Sequence, residues 1–243
     1  MFKKKEQPVI EFISKIPFLK DVDGVAPVAA NRFIPDWWFD TPFSLPSDEK
    51  HYSDSRTVRQ CPAFPDLFHS GYVLPMWADT TLYFNSKTKQ WRWRCGSSPS
   101  PFKINFFEPH QFTDNTTYAF KSISASAIFQ FENPWTIRTT KGYSLFQFPL
   151  FYHFNKDFSV LPGVYDPYSA ETDKLEIAYF ADDKEIFIKK GTPLVQYIPY
   201  KKEKVEAIIR DENENDRLIY QKKFIDRATS FKSWYAKNRI KES

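Results

Sequence analysis

The sequence predicts a mainly β body that carries an extended N-terminal arm and a C-terminal helix. Three observations predict it. Short runs of β-branched and aromatic residues, parted by turn residues, recur from position 58 to 200. Pro8, Pro17, Pro27, Pro35, Pro42 and Pro46 punctuate the stretch before them too often for a long helix. Residues 202–240 contain neither Pro nor Gly and are rich in Lys, Glu, Arg and Ile. The expected organisation is an arm over 1–57, a body over 58–200 and a charged helical segment over 201–243.

The arm carries Phe12, Ile13, Phe18, Phe33, Trp37, Trp38 and Phe43. So much apolar surface cannot stay in water, so the arm must lie across the body or a partner. Ile34–Phe39 reads as a short helix with Asp36 at its start. Residues 46–57 read as an exposed polar loop. In the body, the expected strands are Gly71–Trp77, Thr80–Asn85, Gln90–Arg94, Ala119–Ser122, Ala127–Phe131, Trp135–Thr139, Tyr143–Phe148, Ser159–Leu161, Leu175–Phe180, Glu185–Lys189 and Leu194–Ile198. In the third of these, Trp91 and Trp93 share one face and Arg92 and Arg94 the other. That pattern suits base stacking. It also suits tryptophans in a core with arginines snorkelling outward, which is the reading taken. Past residue 201, Ile208, Leu218, Ile225, Ala228, Phe231 and Trp234 or Tyr235 recur near helical spacing. They predict one or two helices with a break around Asp211–Asn215.

Composition excludes several classes. Of 243 residues, 42% are hydrophobic and 19% aromatic, which argues for a packed core. Six glycines and no GxGxxG or GxxxxGK[ST] pattern argue against a phosphate loop. No apolar run reaches the roughly 18 residues of a membrane helix. Met1–Pro8 lacks the apolar stretch of a signal peptide, so no secretion by that route is expected. The net charge of +4 falls entirely in residues 201–243, where acids interleave with bases. This is the pattern of a solvated helix rather than a nucleic-acid stripe. Cys61 and Cys95 have no CxxC spacing and are expected as free thiols, with Cys61 buried. His51, His69, His110 and His153 form no HxH or HExxH pattern, so neither a metal nor a cofactor is expected.

The most specific stretch runs from Gly142-Tyr143 through Leu161-Pro162-Gly163-Val164-Tyr165-Asp166 to Lys189-Lys190-Gly191-Thr192-Pro193-Leu194-Val195-Gln196. Gly163 lies 21 positions after Gly142, and Gly191 lies 28 after Gly163. These residues and spacings resemble the core of trimeric dUTPases and the related dCTP deaminases. The resemblance implies a β-clip fold, a homo-oligomer (trimer or dimer) and Asp166 as the carboxylate that activates water. Departures bear on activity. Where the family carries a phosphate-binding RSG, this chain has Phe148-Pro149-Leu150-Phe151-Tyr152-His153-Phe154, with neither cations nor glycine. Tyr168 stands one position before the family's tyrosine, with Pro167 between it and Asp166. No glycine- and arginine-rich C-terminal arm follows.

A second resemblance rests on Ile10-Glu11-Phe12, Phe33-Ile34-Pro35-Asp36-Trp37-Trp38, Thr57–Asp66, Gly71–Asp79 and Asn133-Pro134-Trp135. These are similar to an uncharacterised family of marine T4-like phages, especially cyanophages, with bacterial relatives. It implies a phage-encoded protein in the host cytoplasm or the virion, with a phage or host protein as partner.

Asp166, His153 and Tyr168 are the candidates for catalysis, and Trp91, Arg92, Trp93 and Arg94 those for binding. Asp66, Asp79 and Glu132 are further acids in the body, and any two meeting in a pocket would suit acid/base work. Cys61 with His69 or His153 is the thiol alternative. The leading expectation is a non-catalytic binding protein or virion component. The other is a nucleotide-binding or nucleotide-hydrolysing enzyme with a diverged site around Asp166.

Overall fold

Four antiparallel sheets build the protein in the computed structural model, which describes residues 10–45, 56–108, 125–168 and 174–229. In chain order the first elements are β1 (Ile10–Ser14), β2 (Val28–Ala29), α1 (Asp36–Asp40), α2 (Ala63–Phe68), β3 (Tyr72–Pro75), β4 (Thr80–Asn85) and β5 (Gln90–Cys95). Next come β6 (Ile104–Phe107), β7 (Ala127–Glu132), β8 (Trp135–Thr139), β9 (Tyr143–Pro149) and β10 (Phe158–Val160). The chain continues through β11 (Gly163–Tyr165), β12 (Lys174–Tyr179), β13 (Ile186–Ile188), β14 (Pro193–Lys201) and α3 (Glu214–Ala228). The sheets are ordered β11-β9-β14-β3-β2, β10-β12-β7-β6, β13-β4-β5 and β1-β8. The protein is thus mainly β, with a helix near its C-terminus. It divides into two units, Met1–Lys202 and Glu203–Ser243. Among the described residues, no helix is long and apolar enough to cross a membrane.

Period-2 patterning accounts for the core strands. In β4, Thr80, Leu82 and Phe84 point inward while Thr81, Tyr83 and Asn85 stay half-exposed. Trp135, Ile137 and Thr139 do the same in β8. β7 is buried on both faces, and its Gln130 is satisfied by donating to Glu176 Oε1 at 2.9 Å. Phe129 meets Phe106 and Tyr179 edge-on, at 5.6 Å each, and ties β6 and β12 to it.

The N-terminal residues are not a plain extended arm. β1 pairs along its length with β8, from Ile10 opposite Thr139 to Ser14 opposite Trp135. β2 forms the edge beside β3. After β2, α1 places Trp38 in an aromatic cluster: it stacks on Phe64 of α2 at 5.5 Å and meets Phe68 edge-on at 5.3 Å. Arg59 closes the end of α1. Its Nη1 donates to the carbonyls of Trp38 (2.6 Å) and Phe39 (3.1 Å), and its guanidinium lies over the Trp38 and Phe43 rings.

Several sequence expectations need correction. α2 falls where only strands are expected. Its two prolines, Pro62 and Pro65, lie before and within the first turn, where a helix needs no N–H from them. Pro162-Gly163 reads in the sequence as the reversal of a hairpin, but β10 pairs with β12 and β11 with β9, so the chain changes sheets there. β6 is a strand not anticipated. The charged segment has no helix before Glu214 among its described residues, so Ile208 is not helical. What reads as a break is the start of α3, where Asn213 and Asp216 form a reciprocal capping box. Cys61 is exposed rather than buried; Cys95 is buried, and both are free. The expected strand Ala119–Ser122, most of the loop 46–57, His51, His110, Phe231, Trp234 and Tyr235 lie outside the described residues.

Candidate functional site

The stretch Pro149–Asn155 forms a wall of a cavity. β9 ends at Pro149, and the chain then turns through Leu150–Asn155 before β10. Tyr152 and Phe154 adopt left-handed backbone, φ 62° and 51°. This conformation is costly for aromatic residues and persists only when neighbours hold it. Two hydrogen bonds from the N-terminal region hold this turn. Trp37 Nε1 donates to the Tyr152 carbonyl at 2.9 Å, and His153 Nε2 donates to the Phe33 carbonyl at 2.8 Å. A carbonyl only accepts, so the neutral imidazole keeps its proton on Nε2. Asn155 Oδ1 then accepts from the amides of Asp157 and Phe158 and starts β10.

The cavity is about 480 Å³. Phe151, Tyr152, Phe154, Phe158 and Leu194 give it a largely apolar lining, and Asn155, Ser159 and Thr192 add neutral polar groups. His153 is its one titratable side chain besides the Tyr152 phenol. Burial holds the His153 imidazole below its ordinary value of 6.5; the Phe33 carbonyl and Asp36 oppose this weakly. The folded protein therefore favours neutral His153. The stability this gives is present above pH 6.5 and is lost as pH falls from there through the folded value. Melting temperature is expected to drop on acidification below pH 6.5, and less so in His153→Gln. Equal pH profiles for the two proteins would contradict this assignment.

The other candidates lie elsewhere. Asp166 follows β11, whose Tyr165 is opposite Leu145, near the start of β9. Its Oδ2 forms an ion pair with Lys202 Nζ at the end of β14. From Leu145 to Pro149 the strand runs about 13 Å, and His153 lies beyond that end. Tyr168 is exposed. The structure therefore does not bring Asp166, Tyr168 and His153 together. Asp79 Oδ1 accepts from the Lys190 amide at 2.8 Å, Asp66 belongs to α2 and Glu132 ends β7. None of these acids lines the cavity. Among the described residues no three His, Cys, Asp or Glu side chains gather as a metal-binding group.

In β5, Trp93 packs partly buried against the core. Trp91 is 47% exposed but lies flat on Phe106, 5.1 Å between centroids at 6°. Arg92 covers the Tyr83 ring at 4.3 Å, and Arg94 Nε donates to the Gly96 carbonyl at 3.3 Å. One tryptophan face and both arginines are thus engaged within the protein. The cavity itself was missed by sequence reasoning. Its signal was the run Pro149–Phe154, whose five residues besides His153 are aromatic or apolar and out of place in a turn.

No protein-family model matches the chain. No curated protein matches it. Among solved structures it is similar to a mutant dUTPase from phage phi11 of S. aureus, at 10% identity, over 60% of this chain and 85% of that one, with a TM-score of 0.32. At that similarity the match assigns no activity.

Proposed function

We propose that this is a phage-encoded, non-catalytic binding protein, acting in the virion or the host cytoplasm, with a β-clip-like body that assembles as a homo-oligomer. The sequence resemblances support the phage origin, the β-clip body and the assembly. The non-catalytic reading is carried by one observation: the cavity and the carboxylate are apart. General acid/base work needs a titratable group within hydrogen-bond reach of the reacting atom, in the pocket that holds the substrate. The cavity offers a neutral imidazole committed through Nε2 to Phe33, among aromatic neighbours. Asp166 lies beside the opposite end of β9, held by Lys202. Triphosphate binding needs cations or bare amides, and the Pro149–Phe154 turn has no Lys or Arg.

The expected result is no turnover. Protein incubated with dUTP or dCTP and magnesium should release pyrophosphate no faster than buffer. Release above background that Asp166→Asn abolishes would overturn the proposal and make Asp166 the catalytic base.

A further inference from the structure

The second unit carries an apolar surface that the body's chemistry does not use. In α3, Leu218, Tyr220, Phe224 and Ile225 are 57%, 63%, 72% and 57% exposed. At 100° per residue, they share with Gln221 and Ala228 a face about 160° wide that also carries Glu214 and Arg217, and Tyr220, Gln221, Phe224 and Ile225 outline a shallow groove on it. Lys222, Lys223, Asp216 and Asp226 fall on the other side. Aromatic and aliphatic side chains gathered on one helical face are the composition of an interface core.

Charge says what fits there. The helix and its lead-in are polarised along their length. Asp211, Glu212, Glu214 and Asp216 outweigh Arg210 and Arg217 at the start, where Arg210 pairs with Asp216 and Arg217 with Glu212, while Lys222 and Lys223 outweigh Asp226 at the end. A second α3 laid antiparallel sets the acidic start of each helix against the basic end of the other; a parallel one sets like against like. Antiparallel alignment also opposes the two helix dipoles favourably. The apolar face has the matching symmetry. With Gln221 at a two-fold axis, position 214 meets 228 and Leu218 meets Phe224, so one patch serves both copies.

We propose that α3 is a self-association element, and that two copies of this chain pair through antiparallel α3 helices centred on Gln221. This rests on the homo-oligomer reading and names its element: a monomeric wild type would end both, whereas equal association of the helix variant would end the α3 proposal and leave assembly through the body standing.

The test is sedimentation of the full chain at micromolar concentration, beside Phe224→Glu with Ile225→Glu. The wild type should associate. The double variant should dissociate at least about tenfold more readily, with unchanged melting of the body. A 28.8 kDa monomer for the wild type would overturn the proposal, as would equal association of the variant. Orientation is read by disulfide formation in a Cys61→Ser background. A mixture of Glu214→Cys and Ala228→Cys chains should cross-link to each other, and neither alone. Cross-linking of the Glu214→Cys chain to itself would indicate parallel helices and overturn the pairing.

Discussion

Trp38→Ala is expected to cost about 3–5 kcal/mol of stability, the range for truncating a buried tryptophan. Trp38 is 6% exposed although it comes from a five-residue helix with little intrinsic stability of its own. It fills the space between α1 and α2, stacked on Phe64, edge-on to Phe68 and beneath the Arg59 guanidinium. Removing the indole leaves a cavity that these rings cannot close without moving the chain that carries Trp37 and Phe33. Those two residues hold the left-handed turn at Tyr152–Phe154 through their hydrogen bonds. The loss should therefore reach the cavity as well as the melting curve. In a protein this size the expected shift is about 10 °C. Urea denaturation checks it, with Trp38→Phe as the milder control. An unchanged midpoint would show that the cluster is not part of the cooperative fold.

Gly71→Ala should be worse. Gly71 precedes β3 with φ +73°, and an added Cβ would stand 2.0 Å from the Tyr197 carbonyl oxygen and 3.0 Å from Ile198 Cα. Both are backbone atoms of β14, paired on its other side with β9, so neither can swing aside. Relief requires parting β3 from β14 in the largest sheet. A cost above about 4 kcal/mol is expected, enough to remove most soluble protein. Gly142 gives the contrast. It has φ +88° but nothing within 4 Å of an added Cβ, so Gly142→Ala should cost only the left-handed conformation, about 1–2 kcal/mol. Equal stability of the two variants, measured by thermal melting, would refute the steric account.

Local pattern determined much of this protein in the sequence alone. β4 and β8 have the bounds that alternation predicts, because a strand with one buried face writes a period of two into its residues. α1 begins at Asp36 as read, and the tryptophans and arginines of β5 divide between faces as expected, since side-chain direction is set by the strand itself. Only the tertiary structure decided the rest, because it depends on partners far along the chain. β1 and β2 are strands by virtue of β8 and β3, and no local propensity announces an edge that is completed so far away. Asp166 meets Lys202 because β11 and β14 flank β9, not because of any spacing in the sequence. The cavity joins residues 149–160 to 192–194, and its turn holds a left-handed conformation that its own residues disfavour. That conformation exists because Trp37 and Phe33, more than a hundred positions earlier, supply a donor and an acceptor where the turn needs them.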